Sequence, residues 1–161
     1  MSTKFNFEEV IKRLQVAERE TLVLLSNQAQ NYFLASFNNQ GFDGKPWDNV
    51  QRRIEGTNAY KYPKKKGLQR RTSPILVGAG FKVRGGTLRR AVSSMADTAQ
   101  ITTSGGGGTS KLRMVIDLDY AKYNNEGGGH LPKRQFVGQT ELLTEMQLNK
   151  IKEITKNIWR V

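Results

Sequence analysis

Apolar residues recur every three or four positions from the start of this chain, and that period dictates its largest element. Phe7, Val10, Ile11, Leu14, Ala17, Leu24, Leu25, Tyr32 and Phe33 fall on one face of a helix running from about Asn6 to Phe37. Glu8 and Glu9 suit the positive end of its dipole. Some thirty residues at ~1.5 Å each make about 45 Å of helix, long for a globular element. The apolar face is weakest near Thr21, where a break would fit. A face of this kind ordinarily packs on the chain's own core; the alternative is that part of its length packs against a neighbouring subunit. A second helical period closes the chain. Leu142, Leu143, Met146, Ile151, Ile154 and Ile158 form its apolar stripe, Thr140 is placed to cap its start, and Lys150, Lys152, Lys156 and Arg160 suit its negative end. Trp159 is expected to close the core.

Between the helices the pattern changes to short strands and breakers. Asn38 to Gly44 ends the first helix by turn chemistry, and Trp47 sits in a loop where it is expected to cap the core. Pro74 to Gly78 reads as a short strand, and Thr87 to Met95 as a short helix passing into a strand that ends near Thr103. After the glycine-rich tip at Ser104 to Thr109, Leu112, Met114, Ile116 and Leu118 alternate with Lys111, Arg113, Val115 and Asp117, the period of a half-buried strand. Tyr120 to Glu126 reads as a short helix stopped by Gly127, Gly128 and Gly129. Leu131 to Val137 reads as an extended edge, since Pro132 cannot donate to a ladder. The expected fold is α+β, one domain over residues 1–161. A long N-terminal helix and a C-terminal helix pack on a small, mainly antiparallel sheet with a long flexible hairpin. A basic mobile loop is expected at about 45–73 and a flexible tip at 104–109.

Charge narrows the function. The 161 residues carry 26 Lys and Arg against 14 Asp and Glu, a net charge of +12, enough to attract polyanions. The basic residues are densest between Gln51 and Arg71, where Lys61, Lys64, Lys65, Lys66, Arg70 and Arg71 are candidate contacts for a polyanion or a partner. Tyr60 and Tyr62 interleave with them, as in surfaces that stack bases and bind phosphates. The bland alternative is a solvated loop, and Pro63 and Gly67 argue against a recognition helix. Catalytic signatures are missing. There is no cysteine and one histidine, and Asp117, Asp119, Glu126 and His130 follow no known metal-ligand spacing. The Gly78–Gly86 stretch lacks both the dinucleotide and the Gly-Lys-Ser/Thr patterns, and no Gly-x-Ser-x-Gly elbow is present. A non-enzymatic protein without cofactor or metal is expected. No apolar run approaches the ~20 residues that span a bilayer, and no signal-peptide core opens the chain, so a protein made in the cytoplasm is expected. Arg134 is expected to pair with Asp117 or Asp119.

Taken together, the motifs of this chain resemble those of the bacteriophage virion morphogenesis family, the tail completion proteins of Mu-like and P2-like phages. The matching features, in order over about two-thirds of the chain, are Trp47, the Leu76 to Gly80 segment, Leu88-Arg89, Tyr120-Ala121 with Gly127-Gly128, and Pro132-Lys133-Arg134-Gln135-Phe136-Val137-Gly138. The sequence departs from the family where Phe81 to Gly86 intervenes before Leu88-Arg89, and in its basic loop and four-glycine tip. The resemblance implies a structural protein of the virion tail or neck, assembled in the host cytoplasm as a homo-oligomeric ring, a hexamer in the family. It would finish the tail and join it to the head. Implied partners are other copies of the chain, the tail tube or tail terminator protein, head–tail connector or neck proteins, and the packaged DNA passing through; no membrane is implied. A tail terminator or neck adaptor remains the alternative within the particle, and a basic nucleic-acid-binding module the alternative outside it. On this reading Asp119 to Gly138 is a clasp between hairpin and last helix, and the basic loop and hairpin tip make the neighbour contacts.

Overall fold

The computed structural model describes residues 7–63, 70–76, 86–102 and 110–158. Helix α1 (Phe7–Asn39) is continuous. The break that would fit near Thr21 does not occur; the Thr21 hydroxyl donates to the Ala17 carbonyl at 2.6 Å within an unbroken helix. Gln40 ends the helix in the left-handed region, at φ 53°. Its side-chain Nε2 donates to the Phe37 carbonyl at 2.6 Å, occupying one of the acceptors that a helix end leaves open.

A tight hairpin follows, formed by β1 (Gly41–Phe42) and β2 (Lys45–Pro46). Its two-residue turn, Asp43-Gly44, has φ of 51° and 73°, the pair of positive values that matches strand twist and favours Asp-Gly. Gly41 is required by proximity: a Cβ there would lie 2.5 Å from the Lys45 carbonyl oxygen. The loop after it is shaped by a 3₁₀ turn at Gln51–Arg53 and by α2 (Asn58–Lys61), whose Thr57 cap accepts from the Tyr60 N–H. Short helices therefore stand where an irregular loop was expected.

Helix α3 (Thr87–Ser93) leads through turns to β3 (Gln100–Thr102), which pairs antiparallel with β4 (Lys111–Arg113). The ladder is three residues long, shorter than the expected hairpin. The alternation outlasts it: Leu112, Met114, Ile116 and Leu118 are half-buried while Lys111, Arg113, Val115 and Asp117 are exposed. Pro74 to Leu76 forms a turn rather than the start of a strand, with Leu76 at φ 59°; Val77 and Gly78 lie outside the described residues. Helix α4 (Ala121–Glu126) stops at the glycines as expected. The segment after it makes a single bridge, Gly128 to Leu131, in place of an edge strand. Helix α5 (Glu141–Ile158) starts under its Thr140 cap, whose Oγ1 accepts from the Leu143 N–H at 3.1 Å. The architecture is α+β: a long N-terminal helix, a C-terminal helix and two small antiparallel sheets.

The core gathers Ala29, Phe33 and Phe37 from α1 with Phe42, Trp47, Ile75, Leu88, Val92, Met95, Ala121, Phe136 and Leu143. Aromatic rings set its middle. Phe37 meets Trp47 edge-on at 5.8 Å and Phe136 at 5.5 Å, while Tyr32 meets Phe42 edge-on at 5.8 Å. Helices α3 and α5 pack on the C-terminal half of α1.

Candidate assembly surfaces, clasp and cationic cleft

Three features of the surface and core bear on function. The first is the clasp made by residues 132–138. Phe136 is fully buried against Phe37. Its backbone is held by a side chain: Asn125 Oδ1 accepts from the N–H groups of both Phe136 and Val137, each at 3.0 Å. The Arg134 N–H donates to the Asn124 carbonyl at 2.8 Å, so α4 carries the segment along its C-terminal turn. Trp47 closes the other side, its Nε1 donating to the Gln135 carbonyl at 2.6 Å. Gly127 allows the close approach; at φ 79°, a Cβ there would lie 3.1 Å from the Lys133 nitrogen.

The motif residues therefore divide by role. Trp47, Leu88, Ala121, Arg134 and Phe136 are buried, and Gly127 serves the clasp turn. Gly138, at φ 151°, sits where a side chain would meet the Gln135 amide. Arg89, Tyr120, Gly128 and Pro132 are on the surface, with Arg89 lining an 820 Å³ cavity beside α3. Gly80 lies outside the described residues. The expected ion pair of Arg134 with Asp117 or Asp119 does not form. The Arg134 Nε and Nη2 both donate to the Asp48 carbonyl, at 3.3 and 3.2 Å, because the clasp turns the side chain toward the Trp47 loop and away from the hairpin. Ion pairs among the described residues are confined to Arg13–Glu9 and Lys150–Glu153.

The second feature is a pair of helix faces whose apolar residues are exposed. The stripe that buries Leu25 and Ala29 continues in phase up α1 through Leu14, Ile11 and Phe7, where Phe7 is 71% exposed and the other two are also exposed. The core role expected for this whole face holds for its C-terminal half only. Of the expected α5 stripe, Leu143 is fully buried and Ile154 half-buried, while Leu142, Met146 and Ile151 are exposed, as is Leu148 beside them.

The third feature is cationic. Lys61, Arg70 and Arg71 are exposed, and Lys64, Lys65 and Lys66 lie outside the described residues. Arg71 is tied to Tyr60 twice, its guanidinium 3.9 Å above the ring centroid and Nη2 donating to the Tyr60 carbonyl. Arg52 holds three carbonyls of the following turn, those of Arg70, Ser73 and Pro74. With Arg134 it lines a cleft of 520 Å³ that also contains Tyr62 and His130. Burial lowers the pKa of both guanidinium groups; Arg53 and Arg134 lower that of Arg52 further, while Asp48 opposes the shift at Arg134.

Gln40, Arg52 and Asn125 were not singled out from the sequence. Each works by bonding backbone far away in the chain or across an irregular turn, which leaves no periodic signal. Among the described residues no three His, Asp or Glu side chains gather as metal ligands, and no helix is long and apolar enough to cross a membrane. No protein-family model, curated protein or solved structure matches the chain.

Proposed function

We propose that this chain is a structural component of a tailed-phage virion, acting in tail completion or head–tail joining by assembling into a ring. The observation that carries the proposal is the stripe of α1 that runs in phase from the core out through Leu14 and Ile11, which are 39% and 49% exposed. A contiguous row of exposed apolar side chains is a feature of interaction surfaces. Its charge suits a second copy. Residues 7–24 carry four Glu against three Lys and Arg, and the described part of α5 to Lys156 carries three Glu against three Lys. These near-neutral faces can approach one another in a chain whose net charge of +12 otherwise repels its copies. A helix face of one copy on a different face of the next is a heterologous contact, and such contacts close into rings when the rotation permits. The resemblance of the clasp motif to tail completion proteins supplies the place in the particle, with the tail tube or terminator on one side and connector or neck proteins on the other.

Sedimentation and electron microscopy of the purified protein test this directly. A closed oligomer is expected, with I11E and L14E reducing it to a monomer whose core, read by its melting transition, stays folded. A wild-type chain that stays monomeric at high concentration overturns the reading.

A second reading has its own support. Tyr62 is 80% exposed beside Lys61, and Arg70 and Arg71 stand on the same basic loop, a combination suited to stacking and phosphate contact. A salt-sensitive shift of duplex DNA by the monomer, lost on K61Q/R70Q/R71Q, would favour it.

A further inference from the structure

The cleft between the 3₁₀ turn, α2 and the clasp combines two arginines with apolar walls. Arg134 lies at its floor, only 7% exposed, with Nε and Nη2 committed to the Asp48 carbonyl. Arg52 lines the same cleft with Nε and Nη2 committed to carbonyls of residues 70, 73 and 74. Neither Nη1 has an acceptor among the described residues. Among the described residues that line the cleft none is Asp or Glu, although the Asp48 carboxylate is near enough to Arg134 to oppose its pKa shift. Two positive forks are thus held in place by the backbone, with Arg134 close enough to disfavour the charge of Arg52. Preorganised guanidinium groups of this kind bind planar oxyanions.

We propose that this cleft is a carboxylate-binding site that takes an Asp or Glu side chain from an acidic segment of a partner protein. The shape selects the source of the oxyanion. Val50, Leu131, Pro132 and Tyr62 supply apolar walls that suit the methylene stem of a carboxylate entering end-on toward Arg134. A duplex phosphodiester carries a sugar on each side and is too bulky to reach Arg134, a residue only 7% exposed. The inference deepens the assembly reading by giving the chemistry of a partner contact, and its readout is separate because binding is counted per chain whatever the oligomeric state.

The test is calorimetric titration of the full chain with tetraglutamate, with random-sequence duplex DNA as competitor. Saturable binding at one peptide per chain is expected, weakened about tenfold or more by R52Q, the loss of a charge-assisted pair of hydrogen bonds. R52K, which keeps charge but not the fork, is expected to recover only part of it. Because Arg52 also holds its neighbouring turn, A59E provides a second variant; it sets a carboxylate at the cleft wall and is expected to abolish peptide binding with an unchanged melting temperature. K122Q, on the exposed face of α4, is expected to leave binding as it is. Absence of saturable peptide binding overturns the site, as does an equal loss in K122Q. Displacement of the peptide by DNA, with A59E weakening DNA binding equally, overturns the carboxylate assignment in favour of phosphate. A ring that binds no tetraglutamate removes the cleft proposal alone, and a monomer that binds it removes the assembly reading alone.

Discussion

Asn125 accepts two backbone N–H groups with one oxygen, those of Phe136 and Val137, and this sharing makes it sensitive to substitution. Asn125→Ala leaves both donors short of a partner and is expected to cost about 1–3 kcal/mol in chemical denaturation, while Asn125→Asp keeps the acceptor and costs less. Arg134→Ala is expected to lower stability by about 2 kcal/mol, a fall of roughly 4–8 °C in melting temperature. The cause is the lost anchor to the Asp48 carbonyl, so D117N and D119N should leave the melting temperature where it is. Tyr32 adds a pH dependence. Its phenol is held above the ordinary 10.0, chiefly by burial, with Asp43 reinforcing the shift and the Thr140 hydrogen bond opposing it. The folded state therefore keeps the phenolic proton longer than the unfolded chain does. This contribution is fully present below pH 10 and is lost as pH rises through the folded-state pKa. Y32F should flatten that alkaline decline. Of these three residues the sequence marked Arg134 by its motif and Tyr32 by its period. It did not mark Asn125, whose bonds run to residues that have no regular structure of their own.

Among the elements, α1 and α5 were legible in length and in facing direction, because helical periodicity is local. Their burial was not legible. A period shows which side of a helix is apolar, not whether this chain or another covers it, so Leu25 and Leu14 look alike in sequence and differ in the fold. Leu25→Ala is expected to destabilise the isolated chain by about 2–4 kcal/mol. Leu14→Ala should change the isolated chain by less than about 1 kcal/mol, its effect appearing in assembly instead. The Leu112–Leu118 alternation was legible in the same way. The length of its ladder was not, since a strand ends where its partner does, and β3 is three residues long. Pro74 to Leu76 misled as a strand because an apolar run after Pro fits a turn equally well once Gln40 Oε1, thirty-five positions earlier, takes the Ile75 N–H.

For the whole molecule, the core occupies one end of α1, and about 27 Å of helix, residues 7–24 at ~1.5 Å each, extends past Leu25. A stretch of helix with many exposed apolar residues is less stable than one in the core, since most helical stability in proteins comes from tertiary contact. One continuous helix therefore contains two stabilities. In dilute solution the amide hydrogens of residues 7–20 should exchange quickly and those from Leu25 to Phe37 slowly. As the protein concentration rises, protection should spread toward Phe7, so that the gradient along α1 reports the occupancy of its outer stripe. The midpoint of thermal unfolding should rise with concentration too, because association draws the equilibrium toward the folded chain. In this protein the folding of the first turns of α1 would then be a property of the population rather than of the single chain.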